Sequence, residues 1–275
     1  MPNTSRAGQA RPRPRRRRRR NMAPVYLLLA VLMLAVVVIL SLTVLFKAKN
    51  IEVEGLSRYT VEEVLQTAGL TGDENLLLLD EEKIEQTLCA TLLYIESVEV
   101  RAQLPATLHI TVQEAEPFAA LADTGFYWVV SKTGKVLEKS QGYDQPAGTA
   151  LLIGALPPEK SLEEYAAALE IPRIRFVDER TQAAFTEIVS TVDEMQLGRI
   201  TAIRAADYID LAFVLEDRVK VLLGNSVDLD YKLKFVRTIL QEQVGEGQLA
   251  VINARESGHV SLRTTGVTQE EIYLE

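Results

Sequence analysis

The sequence predicts an α+β protein with a single N-terminal transmembrane helix, a compact strand-helix-helix-strand-strand unit after it, and then a mostly β domain with packed helices. Three observations predict this. Tyr26 to Phe46 run without a charge directly after an unbroken Arg15 to Arg20. From Ile51, apolar residues switch between strand and helix periods over about 65 residues. Beyond Phe118, short alternating runs bounded by Gly and Pro dominate.

The apolar run, at about 1.5 Å per residue as a helix, is roughly 30 Å long, which matches the hydrocarbon thickness of a bilayer. No Asp, Glu, Lys, Arg or His interrupts it, and Ser41 and Thr43 are its only strongly polar residues. Ion pathways need ionisable groups in the span, so it reads as an inert tether. Arg6, Arg11, Arg13 and Arg15, Arg16, Arg17, Arg18, Arg19 and Arg20 precede it with no acid among them, while only Lys47 and Lys49 follow closely. The excess of cations before the span resists translocation. It predicts a cytoplasmic N-terminus, with everything after the span extracytoplasmic. A cleaved signal peptide is the alternative, but its apolar centre is only about 7 to 15 residues and needs small residues at the cut. Lys47-Ala48-Lys49 is a poor cleavage site.

Residues 1–24, with Pro2, Pro12 and Pro14 among arginines, bury too little apolar surface to fold and read as a disordered basic tail. Residues 25–46 are the span. The Arg run has two readings, a topology signal that also touches anionic lipid, or a nucleic-acid arm. Its place immediately before the span favours lipid.

The formal net charge of -8 averages two unlike parts, because all 38 acids lie beyond the first 49 residues. An acidic exterior argues against nucleic-acid binding, which needs Lys and Arg clusters. The single cysteine, Cys89, excludes an intramolecular disulfide, so core packing must hold the exterior together. Cys89 itself reads as a small apolar residue on a helix.

Within residues 50–117, Ile51 to Glu54 form a strand closed by Gly55. Thr60 opens a helix with Glu63 three residues on, a capping box; Val61, Val64, Leu65 and Ala68 share a face and Gly69 suits the left-handed end. Leu76 to Leu79 form a buried approach to Asp80, which caps a second helix with Ile84, Leu88 and Leu92 on one stripe. Glu81-Glu82 read as part of its solvated face. Val98, Val100, Ala102 and Leu104, then Leu108, Ile110 and Val112, alternate as two strands of a hairpin.

This order resembles an FtsQ-type POTRA domain. The residues that carry the resemblance are Ile51-Glu-Val-Glu-Gly55, Tyr59-Thr60, Ile95-Glu-Ser-Val-Glu-Val100, Leu104-Pro-Ala-Thr-Leu108 and Ile110-Thr-Val-Gln-Glu114, with Pro117 closing the unit. Directly after one span, it is similar to the FtsQ/DivIB family of bacterial cell-division proteins. The resemblance implies a second, mostly β domain at residues 118–264.

The residues support that domain independently. Phe126 to Val130 and Val136-Leu137 flank a Lys132-Thr133-Gly134 turn, and Leu151 to Gly154 resemble the family's buried segment ending in Gly. Pro157-Pro158 precede a polar stretch. A helix runs from Asp178 to about Met195, with Phe185, Ile188, Val192 and Met195 on a stripe. Strands follow at Ile200 to Ile203, at Ile209, Leu211, Phe213 and Leu215, and at Val219, Val221 and Leu223. Asp228 caps a further helix with Leu229, Leu233, Val236 and Leu240 inward. Leu249 to Arg255 and His259 to Arg263 are the last strands, with a turn near Ser257-Gly258. The family favours Asp and Leu where this chain has Asn253 and Ala254. Residues 265–275 read as a frayed acidic C-terminal tail with a short contact at Ile272 and Tyr273.

No catalytic set emerges. There is no G-x-S-x-G, S-x-x-K or P-loop, and Lys132-Thr133-Gly134 without S-x-x-K is a turn. His109 and His259 fall in different domains, too far apart in sequence for a local zinc site. No enzyme activity, cofactor or metal is expected. The resemblance implies a non-enzymatic scaffold at the division septum, recruiting FtsL and DivIC/FtsB-type partners by strand addition to a sheet edge. The candidate edge strand is Val260, Ser261, Leu262, Arg263 and Thr264, with Arg255 and Arg263 as charge contacts; equally, the strand could merely close the sheet. A POTRA-bearing envelope chaperone and an envelope enzyme of another type are the alternatives.

Overall fold

The structure, a computed structural model, describes residues 22–142, 144–256 and 258–274. The Arg15 to Arg20 topology signal and the tail before residue 22 lie outside them. The chain forms two compact units, one ending at Phe46 and one beginning at Lys47.

The first unit holds α1 (Ala23–Leu45), with a proline in its first turn, where a missing N–H costs nothing. It begins two residues before the expected start. Its large apolar side chains from Val25 to Leu40 are exposed, as befits a helix that is apolar all round.

The second unit opens with β1 (Asn50–Glu54), α2 (Val61–Ala68), α3 (Glu81–Thr91), β2 (Ile95–Gln103) and β3 (Thr107–Glu114). The strands form a sheet of order β1-β3-β2, with β1 parallel and β2 antiparallel to β3. One core joins Val64, Ile84 and Leu88 of the helices to Ile95, Val98, Val100, Leu108, Ile110 and Val112 of the strands. The capping box at Thr60 and Glu63 is formed, and Gly69 ends α2 in the left-handed region. Asp80 accepts from the Lys83 amide. The expected burial of Leu76 to Leu79 is corrected: Leu76 is buried, but Leu77 and Leu78 are exposed. They occupy a turn in which Leu78 N donates to Asn75 O, and a turn cannot aim consecutive side chains at one core.

The larger sheet is built from β4 (Ala119–Asp123), β5 (Phe126–Val130), β6 (Val136–Gln141), β7 (Ala150–Ile153), β8 (Ile200–Ala205), β9 (Leu211–Leu215), β10 (Val219–Gly224), β11 (Ala250–Glu256) and β12 (His259–Arg263). Among the described residues it has nine strands in the order β12-β11-β10-β9-β8-β7-β4-β5-β6. Its helices are α4 (Leu162–Ala168), α5 (Glu179–Glu194), α6 (Leu229–Gln243) and α7 (Gln269–Ile272). Phe185, Ile188 and Val192 of α5 and Leu233 and Val236 of α6 pack on Ile203, Phe213, Val221 and Ile252. Asp178 caps α5 through Thr181.

Several expectations are corrected in this part. Asp228 does not cap α6 with its side chain; it adopts left-handed backbone at φ 54, and its carbonyl accepts from Lys232 N. Ile209 is exposed and precedes β9. The polar stretch after Pro157-Pro158 contains α4, opened by a Ser161–Glu164 capping box. The C-terminal tail is not frayed through its described length: Ile272 and Leu274 pack on Ala212 and Val214 across the other face of the sheet. Tyr273 is exposed, but its carbonyl and that of Glu271 accept from Lys220 Nζ. Both faces of β9 are therefore covered, and all five of its residues are buried.

The two sheets meet at a seam. Lys135, fully buried, donates from Nζ to Cys89 O at 2.8 Å and to Ile95 O; burial pushes its pKa down. Tyr94, Ala115 and Leu137 share a small apolar cluster, and Tyr94 OH donates to Glu138 at 2.7 Å. Burial and the Glu138 carboxylate push the Tyr94 phenol up to about 12, so it stays a donor.

Gly154 leaves β7 at φ +91, and a Cβ there would lie 2.3 Å from Ala206 Cα. Gly125, at φ +81, has no atom within 4 Å of such a Cβ. Gly154→Ala should therefore destabilise the protein by more than Gly125→Ala, by at least about 1 kcal/mol beyond the shared backbone cost. Urea unfolding midpoints check this; equal losses would contradict the close approach.

Candidate partner-binding edge

A strand at a sheet margin carries unpaired N–H and C=O groups that can accept a further strand. The smaller sheet has β2 at one margin, and α3 closes it. Ala102 N donates to Glu81 Oε1 at 2.9 Å and Val100 N to Glu85 Oε1 at 2.8 Å. The match is geometric. Four residues of helix climb about 6 Å, close to the roughly 6.6 Å of two residues of strand, so positions 81 and 85 meet 102 and 100 in antiparallel order. Glu81 is thus not on a solvated face, which corrects the reading of Glu81-Glu82. Cys89 is buried, and burial pushes its thiol up, consistent with an unreactive core position.

In the larger sheet, the start of the β6 margin is covered. Val136 N donates to Pro172 O and Ile174 N to Gly134 O, with an antiparallel bridge between Lys135 and Arg173. The other margin is β12. It pairs with β11 alone, through Val251↔Arg263, Ile252↔Leu262 and Asn253↔Ser261. Val260 and Leu262 are half-buried against the main core, while His259, Ser261 and Arg263 are exposed on the opposite face. Thr264 lies just past the strand.

The structure thus brings Val260, Ser261, Leu262 and Arg263 together on one margin. Asn253 and Ala254 sit on β11, where Ala254 is fully buried and Asn253 exposed. Neither carboxylate nor leucine is needed there for pairing. Arg263 is already engaged with Glu271 at 2.9 Å. The Arg255 stem packs where a Cβ on Gly224 would fall. Tyr231 and Phe235 were not foreseen: exposed and edge to face at 4.8 Å, they sit on α6, which also packs against β12. Their four-residue spacing was the available signal.

His109 lies on β3 with Nδ1 3.1 Å from Glu52 Oε2, and His259 begins β12. Among the described residues, no group of three His, Cys, Asp or Glu side chains could hold a metal.

Residues 46–115 match the family model described as POTRA domain, FtsQ-type. The chain is 24% identical over 199 residues to the cell division protein FtsQ of Corynebacterium glutamicum, covering 72% of this chain and 81% of that one. It is 32% identical over 110 residues to the protein of the same name from Anaeromyxobacter sp. (strain K), covering 39% of this chain and 37% of that one. A third, from Geobacter sp. (strain M21), is 35% identical over 100 residues, covering 36% of this chain and 35% of that one. Residues 46–115 are therefore a POTRA domain of the FtsQ type.

Removing the α3 carboxylates should open the β2 margin. Glu81→Ala with Glu85→Ala is expected to cost about 1 to 2 kcal/mol per lost bond and to speed amide exchange at Val100 and Ala102. Exchange there unchanged from the parent chain would contradict the closure.

Proposed function

We propose that this chain is a non-enzymatic, single-span scaffold of the bacterial cell-division complex. In this reading the Arg15 to Arg20 tail stays in the cytoplasm, α1 crosses the cell membrane, and both outer domains stand outside the cytoplasm at the division septum. The relatives' names and the POTRA match support the division role. The length and charge-free composition of α1 support the span.

The observation that carries the recruitment reading is the β12 margin, which no other segment of the described chain pairs. FtsL and DivIC/FtsB-type proteins are the proposed partners, one of them adding a strand beside Val260, Ser261, Leu262, Arg263 and Thr264. The added strand would satisfy the outward amides and carbonyls of β12. Arg255 and Arg263 are the proposed charge contacts, and Arg263 would exchange Glu271 for a carboxylate of the partner. The Arg-rich tail would rest on anionic lipid, each cation near the leaflet gaining on the order of 1 kcal/mol. Nucleic acid is not a proposed partner.

Consecutive amides of a strand point to opposite sides, so one of Ser261 and Leu262 presents its N–H away from β11. Ser261→Pro and Leu262→Pro are each tested for capture of the FtsL/DivIC-type partner and for native circular dichroism. The variant whose outward N–H is removed should keep its fold and lose capture by at least tenfold. Full capture by both folded variants would refute strand addition.

A further inference from the structure

We propose that Leu77 and Leu78 seat the outer domains on the lipid surface, entering the interfacial layer of the bilayer from which the chain emerges. The proposal rests on α1 spanning the membrane and goes further, because it assigns a lipid contact to the POTRA domain itself.

Four leucines stand in a row at residues 76 to 79. Leu76 joins the core and Leu79 packs against it. Leu77 and Leu78 do neither, and are 47% and 81% exposed. A single exposed leucine is ordinary, but two adjacent ones on a fixed turn make an apolar tip. The turn is well braced. Leu77 N donates to Asn75 Oδ1 at 3.0 Å, Leu78 N donates to Asn75 O at 3.0 Å, and the Glu74 carboxylate accepts from Thr71 and Gly72.

The turn is also fastened to the first residues beyond the span. Lys47 forms an antiparallel bridge with Asn75, Ala48 N donates to Glu74 O at 2.9 Å, and Lys47 Nζ lies 2.8 Å from Asp73. Lys47 is only two residues past Leu45, the last of α1. With about 3.8 Å between consecutive Cα atoms, this covalent and hydrogen-bonded path holds the leucine pair within about 25 Å of the span's end, whichever way the outer domains lean.

The same leash identifies the occupant as lipid. A loop already confined beside the bilayer loses little further translational freedom on entering it, and leucine gains from leaving water there. The neighbouring charges permit it: Lys49 suits anionic headgroups, Asp73 is paired with Lys47, Glu74 is satisfied by its own turn, and Asp80 caps α3.

The test uses the full chain in vesicles of phosphatidylcholine and phosphatidylglycerol, with no other protein. Leu78→Cys carries a small environment-sensitive fluorophore; Cys89 is buried, and the labelled parent chain sets its background. Leu34→Cys in α1 and Thr124→Cys in the β4–β5 turn are references. The label at 78 should be blue-shifted relative to 124, quenched by spin labels shallow in the acyl chains, and at least threefold less sensitive to iodide. Lipid quenching at 34 with iodide access at 78 equal to that at 124 would overturn the seating while leaving the span intact. Iodide access at 34 would remove the span and the seating with it.

Discussion

The unpaired backbone of a strand margin is the constraint on which this structure turns, because each margin must be closed, shielded or left for a partner. At β2 the closure comes from side chains: two glutamates four residues apart on α3 take the outward amides of Ala102 and Val100. At β6 it comes from backbone, residues 172–174 lying along the strand's start. At β12 no such device is present among the described residues. The proposed recruitment surface is the β12 margin, which pairs with β11 alone.

The devices that close the margins also join the domains. Holding β6 with residues 172–174 fixes Lys135, whose ammonium is buried between the end of α3 and the start of β2. Burying that charge is costly unless carbonyls replace its water, and the Cys89 and Ile95 carbonyls do so. Tyr94 and Glu138 add a second polar link beside it.

Where local chemistry decides structure, the sequence was readable. Thr60 with Glu63 and Asp80 cap the helices as their spacing implies, and the alternation in β2, β3 and β10 gives their inward faces. The Ser161–Glu164 box carried the same signal and marks α4, though the stretch after Pro157-Pro158 reads at first only as polar. Tertiary pairing was hidden. Glu81 meets an amide 21 residues away, and nothing local separates it from a solvated acid. Asp228 looked like a cap because of its residue type, yet its left-handed backbone turns the side chain from the task. The contact at Ile272 was legible, but that of Leu274 was not; together they cover the outer face of β9. The β12 strand was legible, whereas its marginal position depends on strand order, which periodicity does not encode.

Site-specific photo-crosslinking in dividing cells tests the central claim most directly, with the photoreactive residue placed at Ser261 on β12 and, separately, at Glu99 on the closed β2 strand. Position 261 is expected to give an adduct with a small single-span division protein and position 99 none. Adducts of equal yield at both, or an adduct at 99 alone, would contradict the assignment of β12 as the recruiting margin.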